Sequence, residues 1–338
     1  MAVVSQAEIE AASLEDAKVA VLGYGSQGRA QALNLRDSGI FVTVGLRSGS
    51  ARRAAAQADG LPVLPPAEAA ADSSVVAMLV PDEVQPRFYR EKIEPALTPG
   101  STLVFAHGFN IHYGRIEPRA DLDVVLVAPS AIGEELRAQY LAGRGTAGLV
   151  AVAQDASGRA RSRALAYARA LGHDRAAIID TSFAEETETD LFAEQTLLVG
   201  GLTGLIEDAF ETLVAAGYQE EIAYFCCFEE VKFMADMLYA QGLAGLWRRI
   251  SSTAAFGAVE SGPRVVNPQS RAAMEAVLED IRAGRFAARL ASEMQAGAPA
   301  LAARAARLRD HRLEALHRRF GPRPAAPGGG PRARDVAS

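Results

Sequence analysis

The chain has 338 residues with 49% hydrophobic and 22% charged residues, a globular balance that excludes a disordered chain and suggests two domains. Its formal net charge of -6 and a pI of about 5.5 argue against nucleic acid as the main partner, since a phosphate-binding face normally shows as a basic excess. The two cysteines, Cys226 and Cys227, are adjacent and have no third partner, so no disulfide framework is expected and a reducing cytoplasm fits. No stretch reaches the roughly 18 apolar residues of a membrane span. The acid-containing start does not read as a signal peptide.

The first half alternates β-rich runs with helical patterns. Strands are predicted at 18–22, 41–46, 74–80, 102–105, 124–128 and 148–152, with a helix from the Gly-rich turn to about Asp37. That alternation predicts βαβ units, hence a parallel, doubly wound Rossmann-like sheet with helices on both faces. From Phe183 to His317 apolar residues recur at helical spacing and no strand is expected. The expected division is an α/β nucleotide-binding domain over 1–181 and an all-α domain over 182–320. The Pro/Gly/Arg-rich run 321–338 reads as a disordered tail.

Gly23-Tyr24-Gly25-Ser26-Gln27-Gly28 is GxGxxG between a strand and a helix. Gly23 permits the tight turn, Gly25 lets the backbone approach a pyrophosphate, and Gly28 allows close helix–strand packing. The phosphates then meet the amides and positive dipole end of the helix. At the end of the second strand an NAD site usually carries an acid. Here stand Arg47, Ser48, Ser50, Arg52 and Arg53, which suit a 2′-phosphate and favour NADPH, or else form a solvated basic turn. Asp190 and Glu194, at i and i+4 on a predicted helix, share a face. His107 follows a strand end, where doubly wound sheets place their sites.

The runs VLGYGSQGRAQALNLRDSG, VGLRSGS, LVPDEVQ, FAHGFNIH, EETETDLFAEQ, FETLVAAGYQ and GPRV, colinear from about 15 to about 310, resemble ketol-acid reductoisomerase, the short class I form. The resemblance implies a Mg²⁺-dependent alkyl shift followed by NADPH reduction. This converts 2-acetolactate or 2-aceto-2-hydroxybutyrate to 2,3-dihydroxy acids in valine and isoleucine synthesis. It also implies a knotted helical domain and a homo-oligomer. By the same resemblance His107 is the active-site histidine, and Asp190, Glu194 and Glu230 bind metal. Asp82, Glu83, Val84, Gln85 and Gly133 belong to the cofactor site, and Ser251 contacts substrate.

Among the departures from the family, two bear on the chemistry. Ser130 stands where the family has an active-site lysine, and losing a charged donor aimed at a developing alkoxide typically costs about 10²–10³ in rate. Cys226 stands where the family has a metal-binding glutamate, and sulfur is a poor partner for Mg²⁺. Cys226 can be read as a surviving ligand or as a small buried hydrophobe at a disused position. These departures leave two alternatives beside the full reaction: an NADPH-dependent 2-keto acid reductase without isomerase activity, and a non-catalytic NADPH-binding paralogue.

Overall fold

A computed structural model describes residues 3–14 and 17–322; the expected tail lies outside the described residues from 323 onward. The chain divides into two compact units, Met1–Leu191 and Phe192–Ser338.

The first unit is built on one eight-stranded sheet: β1 (Lys18–Leu22), β2 (Phe41–Gly45), β3 (Val63–Leu64), β4 (Val75–Met78), β5 (Thr102–Phe105), β6 (Asp123–Pro129), β7 (Gly148–Gln154) and β8 (Ile178–Asp180). The spatial order is β3-β2-β1-β4-β5-β6-β7-β8. The chain winds outward in opposite directions on either side of β1, so the crevice at its carboxyl end is the topological switch point. The central strands are continuous Val/Ala/Leu runs because both faces are covered. Val19, Val21, Val75, Ala77, Val125 and Val127 pack on one face against helices Ser26–Asp37 and Ala160–Leu171. Ala20, Leu22, Val76, Met78, Leu103 and Phe105 fill the other face. Full burial of each such Val or Leu contributes about 1.5–3 kcal/mol.

Three features differ from the sequence expectation. Strands β3 and β8 are two and three residues long, too short to leave a period-2 signature. Strand β6 starts one residue earlier, at Asp123, a charge that an apolar run would exclude. It is buried because Arg163 Nη1 (3.2 Å), Ser157 N (2.8 Å) and Ser157 Oγ (2.7 Å) donate to it. Strand β7 is antiparallel to β6, correcting the all-parallel expectation. Pro129 pairs with Gly148, so helix Gly133–Leu141 leaves and returns at the same end of β6 and makes no crossover. The edge strand β8 is covered by a bridge from Val3 to Ile179.

In the second unit every regular element of the described residues is helical. Its buried cluster is small: Phe210, Ala223, Tyr224, Leu313 and Leu316. Around it Tyr239 (92% exposed), Leu243 (73%) and Phe256 (69%) project apolar surface.

His173, wholly buried, donates from Nδ1 to the Thr146 carbonyl at 2.7 Å, and its Nε2 has no partner. Burial holds its pKa below the usual histidine value. The folded state therefore favours the neutral ring, and the stability this contributes is present above the unfolded pKa of about 6.5 and lost as pH falls below it. Thermal melts from pH 7.5 down to 5.5 should show a falling Tm. His173→Asn, which keeps a donor toward Thr146, should flatten that fall; an unchanged slope would assign it to other groups.

Candidate active site

The turn after β1 is forced by sterics. Gly23 has φ +107°, and a Cβ there would sit 2.6 Å from the Leu79 carbonyl oxygen. A Cβ on Gly28 would sit 2.4 Å from the Gly23 oxygen, so helix Ser26–Asp37 can pack this closely only without one. Above Gly25 the space is open. Gly23, Tyr24, Gly25, Ser26 and Gln27 line a cavity of about 380 Å³ together with Asp82, Gln85 and His107. An open glycine turn at a helix N-terminus, facing a cavity of this size, fits a dinucleotide pyrophosphate.

Neighbouring groups brace this turn. Tyr24 is buried, and its hydroxyl donates to Asp59 at 2.8 Å. Arg29 grips the same carboxylate at 2.7 and 2.9 Å. Gln27 Nε2 donates to the Ala131 carbonyl at 2.8 Å, and Gly133 N to Ser26 Oγ at 3.2 Å. Gly133 abuts the turn so tightly that a Cβ would lie 2.2 Å from the Ser26 oxygen. Ser130, on the same loop, is exposed, and its amide donates to the Ala147 carbonyl.

The loop after β4 holds itself together through Gln85. Its Nε2 donates to the Val80 carbonyl (2.9 Å) and Asp82 Oδ1 (3.1 Å), and its Oε1 accepts from Asn110 at 3.0 Å. Its amide is thus occupied by the loop itself. Glu83 and Val84 are exposed and do not line the cavity. Of the basic cluster after β2, Arg47, Ser48 and Arg52 are exposed. Arg52 lines a second cavity of about 600 Å³ with Tyr24, Arg29 and Asp59. Ser50 Oγ accepts from the Arg52 amide at 3.3 Å. Arg53, grouped by sequence with the phosphate-facing residues, is instead turned inward, donating to the Leu46 carbonyl at 2.8 Å and the Val63 carbonyl at 3.4 Å.

His107 follows β5 and meets helix Phe183–Ala193. Its Nδ1 lies 2.9 Å from Glu186 Oε1 and 3.6 Å from Asp190 Oδ2. The other Glu186 oxygen accepts from Gly108 N at 2.8 Å. Gly108 must be glycine for this approach, since a Cβ would sit 2.4 Å from Thr187 Oγ1. Burial opposes charge on the His107 ring. The Glu186 hydrogen bond and charge, with the charges of Asp82 and Asp190, outweigh that and raise its pKa to about 9. Asp190 is shifted upward, chiefly by burial.

Ligand atoms of His107, Glu186 and Asp190 lie within 4.8 Å of one another. The sequence motifs assign no role to Glu186, although 186, 190 and 194 recur at four-residue spacing and mark one helical face.

Glu194, Cys226, Glu230 and Ser251 belong to the second unit. Glu194 opens a π turn, Glu194–Leu198, and Glu230 directly follows another, Phe225–Glu229. Such turns are frequent at functional sites. Cys226 is exposed, which corrects its reading as a buried hydrophobe. Ser251 is the N-cap of helix Ser252–Val265, its Oγ accepting from Ala254 N at 3.1 Å.

Two family descriptions match the chain: the acetohydroxy acid isomeroreductase NADPH-binding domain over residues 13–177, and the ketol-acid reductoisomerase C-terminal domain over 183–321. A ketol-acid reductoisomerase (NADP(+)) of Beutenbergia cavernae is 52% identical over 301 residues, covering 89% of this chain and 88% of that protein. The solved structure of an NADH-preferring ketol-acid reductoisomerase from an uncultured archean superposes with a TM-score of 0.89 at 42% identity, covering 90% of this chain and 94% of that one. A semialdehyde dehydrogenase NAD-binding protein from Cupriavidus necator, at 20% identity and a TM-score of 0.59, covers 79% of this chain and 98% of that one, and shares the fold alone. With both halves matched and half of the aligned residues identical to a curated relative, the chain belongs to the ketol-acid reductoisomerase family.

Proposed function

We propose that the protein is a working ketol-acid reductoisomerase, converting 2-acetolactate and 2-aceto-2-hydroxybutyrate to 2,3-dihydroxy acids in branched-chain amino acid synthesis. The observation that carries this is the single cavity lined both by the glycine turn and by His107, with Glu186 and Asp190 beside the ring, in a chain of this family. Asp190, Glu194 and Glu230 are the residues that would hold Mg²⁺, and their hard oxygens suit it. When bound, Mg²⁺ supplies Lewis acidity at adjacent substrate oxygens, and NADPH supplies the hydride.

The chain's own residues then have distinct tasks. The Gly23–Gly28 turn binds the pyrophosphate through backbone amides. Glu186 fixes the ring of His107 through Nδ1, leaving Nε2 as the nitrogen that meets substrate. A ring charged at neutral pH can hand its Nε2 proton to the ketone oxygen as the adjacent carbon is reduced. The charge of Asp82, which lines the same cavity, also supports the ring's protonated state. Ser251 would contact substrate. Its hydroxyl oxygen already caps a helix, which holds it in one place.

Cofactor choice favours NADPH, because Arg47, Ser50 and Arg52 supply cations and a hydroxyl and no acid competes for a ribose 2′-OH. The exposed apolar side chains of the second unit support self-association as a homo-oligomer, since a surface of this kind normally marks an interface. Among the described residues no helix is long and apolar enough to cross a membrane. We place the enzyme in the cytoplasm, in keeping with two free cysteines.

Three measurements test this reading. With Mg²⁺ and NADPH, the protein should oxidise cofactor on both 2-acetolactate and 3-hydroxy-3-methyl-2-oxobutanoate, the already rearranged ketone. Turnover of the second alone would mean that Ser130 and Cys226 have abolished the alkyl shift, and turnover of neither would point to a non-catalytic NADPH-binding chain. Arg52→Asp should weaken NADPH binding by about 10-fold or more while sparing NADH, as expected for loss of a charge-assisted phosphate contact; equal losses for both cofactors would remove Arg52 from the phosphate site. Glu186→Gln should lower the His107 pKa from about 9 in the metal-free protein, followed by NMR of the ring protons. An unchanged titration would show that Glu186 does not hold the charge.

A further inference from the structure

The helical run Glu220–Tyr224, Phe225–Glu229, Glu230–Trp247 changes gauge in its middle, where Phe225–Glu229 forms a π turn. A π turn takes one more residue per hydrogen-bonded ring than an α turn, and it is rare. It alters the angle between side chains on either side of it, and it persists where packing holds it. The holding groups here are specific. Tyr224, immediately before the turn, is fully buried. Its ring stacks on Phe228 at 5.4 Å between centroids and meets Phe225 edge-on at 5.3 Å. Its hydroxyl hydrogen-bonds Nδ1 of His317 at 3.1 Å.

His317 lies on helix Arg312–Phe320 and packs against the Phe228 ring at 5.3 Å. Phe320, one turn further on, contacts both Tyr224 and Phe225. At the rim Arg312 bonds Glu220 at 2.8 Å and Arg319 bonds Glu221 at 3.3 Å. The helix Arg312–Phe320 therefore holds the run before the π turn through two exposed Arg–Glu pairs and one hydroxyl–imidazole contact set in an aromatic cluster. The apolar contacts provide adhesion without direction. The hydroxyl–imidazole bond, made by the buried residue that immediately precedes the turn, has an angular requirement able to fix the turn's rotation.

We propose that Tyr224 and His317 are positioning residues for the Glu230 carboxylate: their hydrogen bond sets the π turn that precedes Glu230 and so fixes its aim toward metal. This rests on the reading of Glu230 as a metal ligand. Outer contacts that orient a ligand typically affect metal affinity by about 10–100-fold when removed. The effect reaches Glu230 through the backbone, because neither residue touches its carboxylate in the contacts described above.

The test is Mn²⁺ binding to the full-length protein, followed by electron paramagnetic resonance, with NADPH affinity and Tm measured beside it. Tyr224→Phe keeps the ring and removes only the hydroxyl. It should weaken Mn²⁺ binding about 10-fold while NADPH affinity and Tm stay near wild type. His317→Asn, whose carboxamide reaches the place of Nδ1, should retain most of the affinity, whereas His317→Leu should match Tyr224→Phe. Unchanged Mn²⁺ affinity in a folded Tyr224→Phe overturns the proposal. So does a parallel loss of Tm and NADPH binding, which would make the contact merely structural. Glu230→Gln separates this from the underlying reading: if Mn²⁺ binding survives that change, the ligand assignment itself fails and the proposal falls with it, whereas loss there with an unaffected Tyr224→Phe overturns only the positioning role.

Discussion

A single buried carboxylate ties the catalytic side of the first unit together. Glu186 accepts from the Gly108 amide with one oxygen and pairs with His107 through the other. It joins the end of β5 to the helix that bears Asp190. Burying a carboxylate is costly unless its oxygens are engaged, and removing one partner of such a pair typically costs about 3–5 kcal/mol. The arrangement demands glycine at 108, since any side chain would push the loop off the helix. With Nδ1 held by this carboxylate, the His107 pKa rises to about 9. The ion pair stabilises the fold below the unfolded histidine pKa, and that contribution is lost as pH rises through about 9.

The cofactor side rests on steric necessity. Gly23 and Gly28 are required by backbone contacts a Cβ would violate, and Gly133 presses the loop after β6 against the same turn. That loop carries Ser130 and is anchored to the turn through Gln27 and Ser26. The basic cluster after β2 divides: Arg53 is a structural brace, and Arg47 and Arg52 remain exposed.

The second unit obeys a different constraint. Its own buried cluster is small for the number of helices it contains, and large apolar side chains such as Tyr239 and Leu243 stay exposed. Local contacts such as Arg312 with Glu211 and Glu220 add to that cluster. Its two π turns adjoin Glu194 and Glu230, and turns of this kind are frequent at functional sites.

The sequence by itself determined what periodicity and glycine sterics encode. β1 and β5, the Gly-rich turn, the helix to Asp37 and the all-helical second half were legible because apolar runs and glycine spacing are local signals. The family motifs singled out His107, Asp190 and Glu194 in the same way. Tertiary structure alone decided the rest. The antiparallel β7 follows from where helix Gly133–Leu141 returns, which no local pattern states. Asp123 could begin a buried strand only because Arg163 and Ser157 arrive from elsewhere in the chain. Arg47, Arg52 and Arg53 look alike in sequence, and only packing shows which one faces inward. Glu186 shows the same limit. Its spacing marked a face of the helix, but its role comes from a loop 78 residues earlier that can approach only because Gly108 has no side chain.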